Sequence, residues 1–290
     1  MKKLLTRLLL LGVIVAAAGL WLTRPKHVDE NNFNNLIGDA EHGEMVLAAA
    51  GCVSCHSEPE SESETSLAGG RRFETPFGTF VAPNIYPAAD TGLKGWTQSE
   101  FASAVLLGSS PDNSHYYPAF PYSSYAKMTA QDVADLWAYM SSLPAVERAN
   151  EPHEIGFPFN IRLSLGGWKL LFFNDDWVAD ADTPELERGR YLVEALGHCA
   201  ECHTPRNALG GLNKSEWMMG APNPSGKGHI PGIAPAVLDW SAGDIAYYLE
   251  TGFTPDFDSA GGEMTEVIRN TSRLTPEDRA AIAAYLKALQ

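Results

Sequence analysis

Positive charge is scarce in this chain of 290 residues, and where it is concentrated acid is missing. The first 26 residues hold five Lys and Arg and no Asp or Glu; over the remainder, 16 basic residues face 36 acidic ones, a balance of −20. Such a surface excludes nucleic acid as a partner, because phosphate binding needs the opposite sign. Two readings of the acid excess stay open, plain solubility or electrostatic steering toward a basic partner. Convincing alternation of apolar and polar residues is also lacking, so nothing argues for a sheet. Cysteine is rare as well, at four residues, and all four fall into two close pairs.

Those pairs are Cys52-Val53-Ser54-Cys55-His56 and Cys199-Ala200-Glu201-Cys202-His203. Both read C-x-x-C-H, the attachment signature of c-type haem, in which two thiols add to the haem vinyl groups and the adjacent histidine is placed on the iron. A single copy also fits a redox dithiol or half a zinc site, and two C-x-x-C pairs could build a four-cysteine zinc site. That alternative gives the histidine after each pair no role. Two covalently attached haem c groups are therefore expected, bound by Cys52, Cys55, Cys199 and Cys202, with His56 and His203 as iron ligands.

Covalent haem attachment takes place outside the cytoplasm, so an export signal is expected. Met1-Lys2-Lys3 and Arg7 precede an apolar run from Leu8 to Leu22 that ends at Thr23-Arg24-Pro25. The run is shorter than the roughly 20 residues of a bilayer span unless Arg7 snorkels and Leu4 and Leu5 join it. Trp21, Arg24 and Lys26 suit an interfacial anchor, whereas Ala16-Ala17-Ala18 offers a cleavage site. The reading is an uncleaved anchor over 1–26, with a cleaved signal peptide as the alternative.

The rest of the chain repeats itself. Glu41-His42-Gly43 and an apolar stretch lead into Cys52, and Glu187-Arg188-Gly189 with a similar stretch leads into Cys199. Trp96-Thr97-Gln98-Ser99-Glu100 leads to Gly108, as Trp240-Ser241-Ala242-Gly243-Asp244 leads to Gly252, both with N-cap and C-cap signatures. Thr129 and Thr275 then open amphipathic helices, with Val133, Leu136, Trp137 and Met140 at helical spacing in the first and Ile282, Tyr285 and Leu286 in the second. The expectation is an all-α chain with haem domains at 38–146 and 184–290. The linker, 147–183, is rich in aromatics such as Phe157, Phe159, Trp168, Phe172, Phe173 and Trp177, which either glue the halves together or dock on a partner or the membrane surface. The acidic run Ser57 to Ser66 reads as a surface loop.

These landmarks resemble the cytochrome c family, and more narrowly the multi-haem cytochrome c subunits of membrane-bound periplasmic alcohol, aldehyde and sugar dehydrogenases. The matching segments are Pro76-Phe77-Gly78-Thr79, Ala82-Pro83-Asn84-Ile85, Tyr117-Pro118-Ala119-Phe120-Pro121-Tyr122 and Ser124-Tyr125-Ala126-Lys127, then Leu196-Gly197-His198-Cys199 and Cys202-His203-Thr204-Pro205-Arg206. Such subunits usually carry three haem domains, where this chain has two. The resemblance implies two tandem cytochrome c-like helical domains that pass electrons from a periplasmic dehydrogenase to a terminal oxidase or another cytochrome. It places the chain on the periplasmic side of the bacterial inner membrane, with the N-terminal segment as the membrane contact.

The resemblance also places a methionine on each iron opposite the histidine. Met264 holds that position in the second half, with Met218 and Met219 as rivals. In the first half the family's methionine position is Phe120, which cannot ligate iron; Met128, His115 or an open site are the alternatives. An open site would make the chain a di-haem peroxidase-like enzyme rather than an electron carrier. A gas sensor would need a signalling module, for which no residues remain. No catalytic residue is assigned. Arg71, Arg72 and Arg206 are candidates for pairing with haem propionates, and Pro83 and Pro205 for shaping loops against the haem, with the Pro83 carbonyl or its neighbours orienting His56. Trp96 and Trp240 read as core aromatics, and His42, His153, His198 and His229 lack ligand spacing.

Overall fold

The computed structural model describes residues 1–33, 35–59, 61, 63 and 65–289; Glu60, Glu62 and Glu64 of the acidic run lie outside the described residues. The chain opens with α1 (Lys2–Leu22), whose residues are all exposed and whose apolar stretch has a mean hydropathy of 2.1. At 21 residues it is long enough to cross a bilayer.

The first half runs α2 (Ala40–Ala49), α3 (Cys52–His56), β1 (Arg72–Thr75), β2 (Gly78–Val81), α4 (Gln98–Leu107), α5 (Tyr122–Tyr125) and α6 (Ala130–Ser142). The linker contributes β3 (Glu154–Ile155) and α7 (Ser164–Phe172). In the second half come α8 (Pro184–Arg190), a π-turn (Tyr191–Leu196), α9 (Ala200–His203), β4 (Ala221–Pro222), β5 (His229–Ile230), α10 (Ala242–Thr251), α11 (Glu263–Thr271) and α12 (Pro276–Ala288). Helix ends fall where the cap residues put them. Thr97 and Ser241 form capping boxes with Glu100 and Asp244, and Gly108 and Gly252 close α4 and α10 in the left-handed conformation.

Both halves are organised by the same close helix crossing. α2 meets α6 at Gly43, where a Cβ would overlap the carbonyl oxygen of Asp135, and α8 meets α12 at Gly189, against the carbonyl of Ala281. A polar contact flanks each crossing: the His42 ring hydrogen-bonds to Asp135 at 2.8 Å, and Arg188 pairs with Asp278 at 2.7 Å. One residue more separates Cys199 from Gly189 than separates Cys52 from Gly43, and the π-helical turn Tyr191–Leu196 absorbs that extra residue before the chain breaks at Gly197 and His198 and enters the second motif.

The strands are the elements that the sequence does not announce. β1, β2 and β3 form an antiparallel sheet with Phe73 opposite Phe80 and Gly78 opposite Ile155, while β4 and β5 pair over two residues. Strands this short cannot display a period. The linker attaches to both halves. His153 accepts the Val81 N–H at 3.1 Å, and Lys169 caps the open end of α4 by donating to the carbonyls of Leu107 and Gly108 at 2.6 and 2.8 Å. Burial pushes the Lys169 ammonium down to about 8. Farther on, the buried Glu194 accepts the amides of Val178 and Ala179 at 2.9 and 3.2 Å and the hydroxyl of Tyr285.

The Gly43 crossing has no room for a methyl group. Gly43→Ala is expected to destabilise the holoprotein by about 3 kcal/mol or more, as overpacking against backbone does. Gly167→Ala in α7, where a Cβ meets open space, is expected to cost nothing measurable by the same chemical denaturation followed by circular dichroism.

Candidate haem sites

α3 and α9 present each C-x-x-C-H motif as one helical turn, with the two thiols on one side and the histidine at its end. The cysteines are free, and among the described residues the cluster with metal-ligand geometry is His42, Asp132 and Asp135, not the four cysteines. Burial pushes the Cys52 and Cys199 thiols up to about 12, and Cys55 to about 11, where Arg71 opposes the shift and Glu263 and Cys202 add to it. Thiols held protonated make poor redox nucleophiles, whereas a thioether brings no charge into the buried site.

The two histidines are held alike. His56 donates from Nδ1 to the carbonyl of Pro83 at 2.8 Å, and His203 from Nδ1 to the carbonyl of Pro231 at 2.7 Å. Burial lowers both pKa values, keeping the rings neutral, and Nε2 is left as the nitrogen able to meet a metal. The donor set therefore fits haem c. The buried indole N–H of Trp217, which has no acceptor among the described residues, is a further donor of the kind a carboxylate-bearing cofactor satisfies.

Pro83 thus does what its motif suggested, but its counterpart is Pro231 rather than Pro205, whose carbonyl accepts instead from the Asn213 amide at 2.8 Å. The shared Pro-x-Ile of Pro83-Asn84-Ile85 and Pro231-Gly232-Ile233 is the signal that could have found it. Arg72 is not free for a cofactor: it pairs at the surface with Glu151 and Glu154 at 3.1 and 2.5 Å.

Arg71 and Arg206 act on the protein itself. Arg71 donates to the Ser54 carbonyl at 2.6 Å and Arg206 to the Glu201 carbonyl at 3.2 Å, and Ser54 and Glu201 are the same position of the two motifs. The side chains of that position reach across to the other half. Ser54 accepts from Asn270 of α11 at 2.7 Å, and Glu201 accepts from Ser124 of α5 at 3.1 Å. Asn270 and Ser124 each lie five residues ahead of the threonine that caps the last helix of their half, so the ties are related by a pseudo-two-fold. Arg71 to Glu263 at 2.8 Å and Arg273 to Glu44 at 2.6 Å add to the same interface. No single-residue pattern announces these cross-ties.

Of the candidate sixth ligands, Met264 sits in the first turn of α11, partly buried against the core. Met218 is fully buried near the second motif: its amide donates to Thr204, next to His203, at 2.9 Å, and its carbonyl accepts from Ile233 at 2.8 Å. Met219 is exposed. In the first half Phe120 packs edge-on against Tyr116, Tyr122 and Tyr125, Met128 is buried beside the Thr129 cap, and His115 donates from Nε2 to the carbonyl of Thr23 at 2.8 Å, toward the end of α1.

A family model for cytochrome c matches residues 40–144 and again 186–290. The chain is 58% identical over 290 residues to a diheme cytochrome c-type protein of Cereibacter sphaeroides, covering 99% of this chain and 98% of that one. It is 35% identical over 265 residues to the fructose dehydrogenase cytochrome subunit of Gluconobacter japonicus, covering 85% of this chain and 52% of that one. The gluconate 2-dehydrogenase cytochrome c subunit of Pantoea cypripedii is 34% identical over 264 residues, 86% of this chain and 59% of that one. The chain thus spans little more than half the length of these two dehydrogenase subunits.

The Ser54–Asn270 tie is measurable. In a cycle of Ser54→Ala, Asn270→Ala and the double variant, a coupling of about 1 kcal/mol is expected from holoprotein denaturation, the usual size of a half-buried side-chain hydrogen bond. Strict additivity would show that the tie does not join the halves.

Proposed function

The chain belongs to the cytochrome c family, and on that premise we propose that it takes electrons from a dehydrogenase on the periplasmic side of the bacterial inner membrane and passes them to a terminal oxidase or another cytochrome. It carries two covalently bound haem c groups and transfers electrons rather than transforming a substrate. Bound at the two motifs, haem supplies one-electron exchange at its iron.

The chain's own residues do the holding and the spacing. Cys52 and Cys55 secure one group and Cys199 and Cys202 the other; the Nδ1–H bonds of His56 and His203 aim Nε2 at the iron. Met264 would be the residue to close the second iron. Met128 would close the first, which its burial supports, together with the aromatic cluster that occupies Phe120 and the bond that turns His115 toward Thr23. The observation that carries the reading is the pair of motifs held facing each other by the Ser54–Asn270 and Ser124–Glu201 bonds, which favours passage of charge from half to half inside the protein. α1, with Lys2, Lys3 and Arg7 at one end and Arg24 and Lys26 at the other, is the membrane anchor of this reading. The acidic surface suits a basic docking face, and the dehydrogenases named for two of the relatives suggest the class of donor.

The reduced protein is expected to show two haems per chain and no carbon monoxide adduct in its optical spectrum. Met264→Leu and Met128→Leu should each abolish the sulfur-to-iron absorption band of one haem. A ready adduct in the parent protein, or a Met128→Leu spectrum that does not change, would remove Met128 from the iron. In respiring membranes that contain the protein, its haem absorption should turn reduced when a dehydrogenase substrate is added and oxidised again when oxygen is admitted, with an oxidase poison holding it reduced. Reduction without reoxidation by oxygen would break the link to an oxidase.

A further inference from the structure

The linker carries apolar side chains that neither haem domain uses. Phe157, Phe159, Ile161, Leu163, Leu170 and Leu171 are between 44 and 82% exposed. Residues 155–174, which contain all six, include no Asp or Glu in a chain otherwise rich in acid. Their two basic residues are engaged. Lys169 points inward onto the carbonyls of Leu107 and Gly108, and Arg162 donates to the carbonyl of His115 at 3.2 Å while stacking over the Tyr117 ring. Neither ion pairs nor hydrogen-bonded polar groups interrupt the apolar face at Leu163, Leu170 and Leu171, because those positions are hydrocarbon throughout.

The end of α1 comes to this same helix. Thr23, the C-cap of α1, lies so close to Gly166 of α7 that a Cβ there would overlap the Thr23 carbonyl, which also accepts the His115 Nε2–H at 2.8 Å. His27 to Asn113 at 3.1 Å and the Val28 amide to Ser103 at 3.2 Å continue the attachment. Gly166 is three residues after Leu163 and four before Leu170, a spacing that puts all three on one face of α7. The end of α1 is therefore flanked by exposed leucines, and Arg24 stacks on Trp21 at 4.5 Å, a pair suited to the headgroup layer.

We propose that α7 and the adjoining linker, residues 155–174, lie on the lipid surface as an interfacial element beside the spanning helix. This rests on the reading of α1 as a membrane anchor. An exposed apolar patch at the mouth of a spanning helix is at the depth where hydrocarbon side chains enter the headgroup and acyl boundary, and the lack of acid removes repulsion from anionic lipid. Two contacts fix what one helix would leave free to swing.

The test uses the full-length holoprotein in vesicles of phosphatidylethanolamine and phosphatidylglycerol doped with a phosphatidylcholine whose acyl chain bears a diazirine. After photolysis and trypsin, label is expected on the anchor and on the peptides Leu163–Lys169 and Leu170–Arg188. That label should stand several-fold above the peptide 228–269, which contains Phe257, 96% exposed but in the second half. Replacing Leu163, Leu170 and Leu171 together by Asn should return the two linker peptides to the level of the Phe257 peptide while the anchor stays labelled. Label confined to the anchor overturns the interfacial contact and leaves the anchor reading intact. Protein released by a carbonate wash, with no label on the anchor, overturns both.

Discussion

Each motif histidine is gripped at both ends, and much of the surrounding chain serves to bring the two partners of that grip together. The carbonyl of His56 accepts from Gly69 at 2.6 Å while its ring donates to Pro83; the carbonyl of His203 accepts from Gly220 at 2.8 Å while its ring donates to Pro231. In sequence the glycine and the proline are separated by an excursion that must return to the same place. A short antiparallel ladder is the economical way to enforce that return. Gly70 donates to Ala82 and Ala82 to Arg71 just before β1 and after β2, and Ala221 stands opposite Ile230 in β4 and β5. A neutral imidazole fixed through Nδ1 keeps its Nε2 lone pair in one direction, which a freely rotating ring cannot do.

That constraint explains what could and could not be read from the residues. The helices were legible because their caps and apolar stripes are local: Thr97 with Glu100, Ser241 with Asp244, and the Val133, Leu136 and Met140 stripe are all written within a few positions. The haem motifs were legible because spacing alone encodes them. The small sheets were not, since their reason for existing is a main-chain carbonyl, and any residue supplies one; Pro231 was not singled out on that account. The cross-ties through Ser54, Ser124, Glu201 and Asn270 were equally hidden, because Ser and Asn serve as readily on a solvated surface and only the docking of the two halves gives them partners. Phe120 shows a different limit. The departure from the family pattern was visible, but the aromatic cluster with Tyr116, Tyr122 and Tyr125 that receives it depends on the folding of a long loop.

The duplicated plan ends in unequal surfaces, and the inequality has a physical source. Gly108 and Gly252 close equivalent helices; their carbonyls accept from Tyr116 and Ala260 at 2.8 and 2.7 Å, and bridges between Ser109 and His115 and between Phe253 and Ser259 shape equivalent loops. In the first half the linker and the end of α1 lie over this loop, and His115 is buried because the Thr23 carbonyl meets its ring. In the second half Phe253 and Phe257 stand exposed at the corresponding place. Covering a loop needs spare chain that brings polar partners to the groups it buries, since an unmet donor or acceptor costs about 1–3 kcal/mol; the cover here is incomplete, for among the described residues the buried Nδ1 of His115 has no partner. The segment between the halves supplies that chain to the first loop, through Lys169, Gly166 and Arg162. The helix crossings at Gly43 and Gly189 allow no such divergence: backbone touches backbone there, so packing holds the two cores to one geometry while the surfaces above them are free to differ.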